Sequence, residues 1–107
     1  MVMDIDFLDY LNVDGEPSDL AVRDPVLFAF LTSVIEMASE YNSLPLLSAD
    51  VTCHCVVEGD LCLGVIEVWI YADNDRIGWE CLVCGDEGAI SNWEMTPWDR
   101  RVDRLYH

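Results

Sequence analysis

The chain has 107 residues, which is enough for one domain and hardly for two. It carries 21 acidic side chains against five arginines and no lysine, so its formal net charge is −16. A hydrophobic share of 52% predicts a folded domain, and the shortage of cations argues against binding to nucleic acid or to an anionic membrane. With no apolar run of about 20 residues and an acidic start, the sequence predicts a cytoplasmic protein with reduced thiols.

The first twenty residues predict a short helix followed by a loop. Residues 4–11 fit a short amphipathic helix, in which Asp4 and Asp6 would lie near the positive end of the helix dipole. Residues 12–19 contain a glycine, a proline and three acids, and this composition is typical of a loop.

The strongest helix signal begins at Asp24-Pro25. Asp24 is able to cap the helix, and Pro25 occupies the first helical position, where its missing N–H is not needed. Apolar residues recur at helical spacing through 24–41 and cover most of the circumference, so a sheet or a partner chain must cover this helix. Asn42 and Pro45 are expected to end it.

From residue 49 onward the pattern changes to β-strands. The predicted strands are 51–57, 61–71, 76–81 and 89–93, with turns at 58–60 and 72–75. The predicted fold class is α+β, with one or two N-terminal helices packed on a small antiparallel meander. The expected single domain (1–107) divides into a mainly helical part (1–48), a zinc-ribbon-like β part (49–99) and a basic tail (100–107).

Two cysteines near the end of this β part carry the clearest chemical signal. Cys81 and Cys84 form a Cys-x-x-Cys pair, and Gly85 follows at once. The glycine frees the backbone to turn its N–H groups toward the sulfurs, so both thiolates can converge on one ion. Because 18 residues separate Cys62 from Cys81, the spacing resembles the two halves of a zinc ribbon.

The sequence itself does not decide which other residues complete the metal site. Cys53 and Cys55 point to the same face of a strand, so either is able to complete a four-thiolate site with Cys62. His54 is an alternative ligand, but it points to the opposite face, which favours an ordinary surface role. Iron in the same site, a redox Cys-x-x-Cys pair and plain buried cysteines are the competing interpretations.

The segment 79–99 resembles a group of small bacterial proteins without an assigned activity, which look like a helix joined to a zinc ribbon. The shared pattern is W-x-C-x-x-C-G-D-x-G-x-I-x-x-W-x-x-T-x-W-D. These proteins also have an upstream cysteine pair with eight residues between, and this pair falls here on Cys53 and Cys62. The resemblance implies one structural zinc ion. Its implied ligands are Cys53, Cys62, Cys81 and Cys84.

The tryptophans are interpreted as large apolar anchors. Trp79 and Trp93 flank the Cys-x-x-Cys pair and are expected to shield the metal from water. Trp98 is expected either to pack on the helix or to face a partner.

We therefore expect a small acidic zinc-binding protein that acts as a protein-interaction module, with no catalysis assigned. Its partner would be another protein or a second copy, bound through helix 24–41 and exposed aromatic residues, without nucleic acid or membrane. The alternative is an acidic inhibitor or nucleic-acid mimic, whose carboxylates occupy the basic groove of a nucleic-acid-binding protein. The basic tail is expected either to fold back onto the acidic body or to remain solvated.

Overall fold

A five-stranded sheet organises the fold. The computed structural model describes residues 2–40, 46–71, 73–94 and 96–100. Its strands are β1 (Val2–Asp6), β2 (Leu46–Thr52), β3 (Val56–Val57), β4 (Asp60–Leu61), β5 (Val65–Ile70), β6 (Ile77–Cys81) and β7 (Glu87–Ser91), and its α-helices are α1 (Asp19–Arg23) and α2 (Pro25–Glu40). The main sheet has the order β1-β7-β6-β5-β2, and β3 and β4 form a separate hairpin. The predicted α+β class is confirmed, with a sheet that is mostly antiparallel.

The N-terminal segment differs from its prediction. Residues 2–6 form β1, which pairs in parallel with β7, and only residues 7–10 turn, as a short 3-10 helix. The cause is an alternation of exposed and buried residues: Ile5 is buried opposite Ile90, whereas its acidic neighbours face solvent. The predicted amphipathic helix over 4–11 is therefore wrong, and the sheet is not a simple meander.

Helix α2 begins as predicted. The carboxylate of Asp24 accepts a hydrogen bond from the Leu27 backbone N–H at 3.1 Å, and Pro25 is the first helical residue. The expected stop at Asn42 and Pro45 falls outside the described residues. None of the helices that the structure describes has the length and apolar character needed to span a bilayer.

The apolar circumference of α2 is covered on two sides. One side packs on the sheet, where the ring of Phe30 meets the fully buried ring of Trp79 edge-on, with 5.5 Å between centroids. The other side joins an aromatic cluster with Phe7, in which Phe28 and Trp98 meet at 5.5 Å. Trp98 thus packs on the helix, which was one of its two predicted places.

The β part follows the prediction in outline but not in its boundaries. The strand predicted over 76–81 is confirmed as β6, with the side chains of Ile77, Trp79 and Cys81 buried on one face. The last strand is Glu87–Ser91, two residues earlier than predicted. The strands predicted over 51–57 and 61–71 are both interrupted near their cysteines, since residues 53–55 and 62–64 lie outside any strand.

The tail begins by folding back onto α2. The guanidinium of Arg100 pairs with Glu36, and its backbone N–H donates to the hydroxyl of Ser39 at 2.9 Å. Residues 101–107 lie outside the described part of the chain.

Candidate metal centre

A tight hairpin carries the first pair of cysteines. Its turn residues Glu58 and Gly59 both have positive φ angles, 53° and 88°, as a two-residue type I′ turn requires. The Cys62 backbone N–H donates to the Cys55 carbonyl at 2.8 Å, so these two residues lie opposite each other at the open end of the hairpin. Cys53 lies just beyond that end, where β2 has already stopped.

A second turn carries the other pair. Cys81 ends β6, and its backbone N–H donates to the Asp86 carbonyl at 2.7 Å. The Gly85 N–H donates back to the Cys81 carbonyl at 3.0 Å, and the φ of Gly85 is +80°, in the region that favours glycine. This loop exposes Cys84 and buries Cys81.

The two turns bring four sulfurs together. The Sγ atoms of Cys53 and Cys84 are 3.6 Å apart, and those of Cys62 and Cys81 are 3.7 Å apart. All four sulfurs lie within 4.8 Å of one another. Tetrahedral zinc with Zn–S bonds of 2.3 Å requires sulfurs about 3.8 Å apart, so these separations fit a four-thiolate zinc site.

Backbone N–H groups point at two of these sulfurs. The Sγ of Cys81 accepts from the N–H groups of Val83 and Cys84, both at 3.4 Å, and the Sγ of Cys53 accepts from Cys55 at 3.4 Å. Such donors stabilise negative charge on sulfur, as a metal-bound thiolate requires.

The thiol pKa values differ across the cluster. Burial raises the pKa of Cys53. Desolvation, opposed by a hydrogen bond with the Gly64 backbone and assisted by neighbouring thiols, also raises the pKa of Cys62. Burial acts in the same direction on Cys81, but the N–H donors and adjacent thiols outweigh it and lower its pKa to about 7. Without a cation Cys53 and Cys62 therefore favour the protonated thiol, and a metal ion would have to displace those two protons.

Gly64 was not singled out in the sequence, yet it permits the close approach of the two turns. A Cβ atom at this position would lie 2.7 Å from the Cys81 Sγ and 2.8 Å from Val83 side-chain atoms. The preceding Leu63 has a φ of +52°, a left-handed conformation that is uncommon for a leucine. In the sequence, only its position two residues after the candidate ligand Cys62 could have pointed to Gly64.

A hydrogen-bonded trio lies beside the four sulfurs. The Nε2 of His54 is 3.0 Å from the Oδ2 of Asp86, and the indole N–H of Trp79 donates to the same oxygen at 3.1 Å. The His54 ring also packs on Phe30, with 4.6 Å between centroids. His54 is thus partly buried, so the expected surface role is wrong. The sequence analysis assigned no role to Asp86, although its position directly after Cys84-Gly85 placed it next to the predicted ligands.

The structure distinguishes between Cys53 and Cys55, the two alternative ligands of the predicted site. Cys53 is buried within the group of four sulfurs, whereas Cys55 belongs to a different group with Cys53 and a carboxylate oxygen of Asp86, again within 4.8 Å. Burial, opposed by a hydrogen bond with Cys53 and assisted by Asp86, raises the pKa of Cys55 to about 11.

The two tryptophans expected to shield the metal have different places. Trp79 contacts the second cysteine-bearing turn, because its indole N–H donates to the carboxylate of Asp86. Trp93 is fully buried, but its indole N–H donates to the Asp75 carbonyl at 2.8 Å, at the turn that enters β6. The cysteines lie at the other end of β6, so the expectation that Trp93 shields the metal is wrong.

Comparisons with known protein families, with curated proteins and with solved structures find no match to this chain. The resemblance over residues 79–99 therefore stays a prediction.

Proposed function

We propose that this protein binds one structural zinc ion and presents the surrounding hairpins as a protein-interaction surface. The proposed ligands are Cys53, Cys62, Cys81 and Cys84. The observation that carries the proposal is the mutual approach of these four sulfurs, from two turns separated in the chain, at spacings suited to tetrahedral zinc. The two cysteine-bearing turns support a zinc-ribbon-like arrangement, and five free thiols suit a reducing compartment such as the cytoplasm.

The proposed role of zinc is to hold the ends of three strands together. Cys53 follows β2, Cys62 precedes β5 and Cys81 ends β6, so one ion would join all three beside the core. Structural zinc in small domains contributes on the order of 10 kcal/mol, which is comparable with the whole stability of a typical domain. Loss of the metal would therefore unfold or strongly loosen this end of the sheet.

The proposed interaction surface surrounds the cysteines. Large apolar side chains are exposed on both turns, including Val83 at 71% and Val56 at 66%. The other exposed members of this surface are Val57, Leu61, Leu63, Val65 and Leu82. A cavity of about 230 Å³ opens beside them, lined in part by Val26 and Phe30 of α2. Exposed large apolar side chains on two neighbouring turns are of the kind that protein-binding sites present.

Metal analysis tests the zinc part of the proposal. Protein purified without chelators under reducing conditions should contain zinc, and Cys84→Ser should lose it. The Val13→Ala variant, which changes an exposed residue in the loop before α1, is the matched control and should keep it. Metal-free protein with five titratable thiols and an unchanged fold would contradict the proposal, and iron in place of zinc would correct the metal.

Charge insertion tests the surface. Val83→Asp should abolish self-association or binding of a partner captured by cross-linking, while zinc content stays the same. Val13→Asp inserts the same charge at a fully exposed valine outside the surface and should have no effect. Equal binding by wild type and Val83→Asp would contradict this part.

A second candidate function is supported by the N-terminal half. All seven acidic side chains between residues 4 and 24 are exposed, so they present negative charge to a basic groove. We propose this mimic function as the alternative. It requires capture of a nucleic-acid-binding protein whose affinity falls steeply with salt, whereas binding through the apolar hairpins would depend little on salt.

A further inference from the structure

We propose that Cys53, Cys55 and Asp86 form a second divalent-cation site, which shares the Cys53 sulfur with the first. This inference rests on the proposed zinc site, because Cys53 would bridge the two cations. Cys55 is the fifth thiol, which the four-sulfur site does not use. Its Sγ, the Cys53 Sγ and a carboxylate oxygen of Asp86 all lie within 4.8 Å of one another.

The donor set suits zinc or cadmium. Zinc bonds of 2.3 Å to sulfur and 2.0–2.2 Å to oxygen place neighbouring ligands about 3.5–3.8 Å apart. Ligand atoms within 4.8 Å of one another would therefore have to approach by at most about 1 Å, through side-chain rotation. A thiolate sulfur has further lone pairs after it binds one cation, and this permits Cys53 to bridge. Three protein ligands leave the fourth position to water, and the partial exposure of Cys55 gives water access.

The carboxylate of Asp86 is already held in place for this role. Trp79 is fully buried, and its N–H donates to Oδ2 of Asp86. His54 contacts the same oxygen while packing on Phe30 of α2. Groups that hydrogen-bond to a ligating carboxylate orient it and raise metal affinity, so His54 and Trp79 are positioning residues here.

Electrostatics favour a second cation. Four thiolates around one divalent ion carry a formal charge of −2, and the Asp86 carboxylate beside them adds one more negative charge. The Cys55 thiol would lose its proton as the second ion binds and would then add another. The whole chain already has a formal charge of −16. Of the three described arginines, Arg76 pairs with Asp4, Arg100 pairs with Glu36, and Arg23 is the last residue of α1. A second divalent ion would neutralise the added charge.

Stepwise metal binding tests the proposal. Metal-free reduced protein is titrated with Zn²⁺ and followed by native mass spectrometry, and in parallel with Co²⁺ to follow the thiolate-to-cobalt absorption. The wild type should take up two equivalents, the second more weakly because it has three protein ligands. Cys55→Ala and Asp86→Asn should each stop at one equivalent and keep the first at its wild-type affinity.

The control is Asp60→Asn, which removes an exposed carboxylate from the neighbouring hairpin and should still bind two equivalents. A wild type that stops at one equivalent would overturn the second site and leave the first intact. Two equivalents in both variants, or one in the Asp60→Asn control, would also overturn it, because the second ion would then bind elsewhere. A wild type that binds no metal would refute the proposed zinc function itself.

Discussion

Gly64→Ala tests the packing between the two cysteine-bearing turns. The new methyl group would lie 2.7 Å from the Cys81 Sγ and 2.8 Å from both Cβ and Cγ2 of Val83. An ordinary carbon–sulfur contact is roughly 3.5–4.0 Å, so one side must move by about 1 Å. The Val83 contact includes its Cβ, which moves only with the backbone, and that backbone donates to the Cys81 sulfur.

The displacement is large compared with what zinc tolerates. Zinc–ligand distances in genuine sites fall within about 0.2 Å of their ordinary values. Overpacking of this kind costs about 1–3 kcal/mol, which corresponds to a roughly 5- to 150-fold loss of zinc affinity if the strain falls on the metal-bound state. Competition with a chromophoric zinc chelator measures this ratio directly.

Gly59→Ala is the matched control in the same hairpin. Nothing lies within 4 Å of its added Cβ, and its only penalty arises from the φ of +88°. It should therefore lower the stability of the hairpin with little change in zinc affinity. If Gly64→Ala binds zinc as tightly as the wild type, then Cys81 is not held between the turns as described, and the reasoning fails.

Three further predictions concern the ligands and the helix. Cys84→Ser should lower zinc affinity by more than about 100-fold, since even groups that only orient a ligand contribute 10–100-fold, as chelator competition would show. Because the pKa values of Cys53 and Cys62 are raised, zinc binding at pH 8 should release at least the protons of these two thiols. Below pH 6 it should release one more proton, because Cys81, with its pKa of about 7, is then also protonated. The apparent zinc affinity should therefore rise with pH, and calorimetry in buffers of different ionisation enthalpy counts the released protons. A proton count that is the same at both pH values would contradict the assignment of Cys81. Asp24→Ala should destabilise the zinc-loaded protein by about 1 kcal/mol in urea unfolding, through loss of the N-cap bond, and should lower zinc affinity by no more than the corresponding factor of roughly 5.

The elements that the sequence predicted well are determined by their own residues. The start of α2 follows from Asp24-Pro25, because capping and the fixed φ of proline act within one turn. Strand β6 follows from the alternation of Ile77, Trp79 and Cys81. By contrast, β1 is stabilised by pairing with β7, whose residues lie about 85 positions later, and a stretch with one central isoleucine does not reveal such a partner.

The candidate ligands show the same division. Spacing singled out Cys62, Cys81 and Cys84, because the distances along the chain reflect two turns that must face each other. Strand alternation was unable to choose between Cys53 and Cys55, since it places both on one face. In the structure residues 53–55 lie outside any strand, so alternation does not apply, and only Cys53 joins the other three cysteines.

Trp79 connects the hydrophobic core to the proposed metal site. Its fully buried ring packs against Phe30 of α2, and its N–H holds the carboxylate of Asp86. The backbone carbonyl of Asp86 in turn accepts the N–H of Cys81 and closes the second cysteine-bearing turn. A metal that binds only the folded state stabilises that state by mass action, so metal affinity and core packing are thermodynamically linked. Any substitution that displaces the Trp79 ring should therefore weaken metal binding without changing a single sulfur.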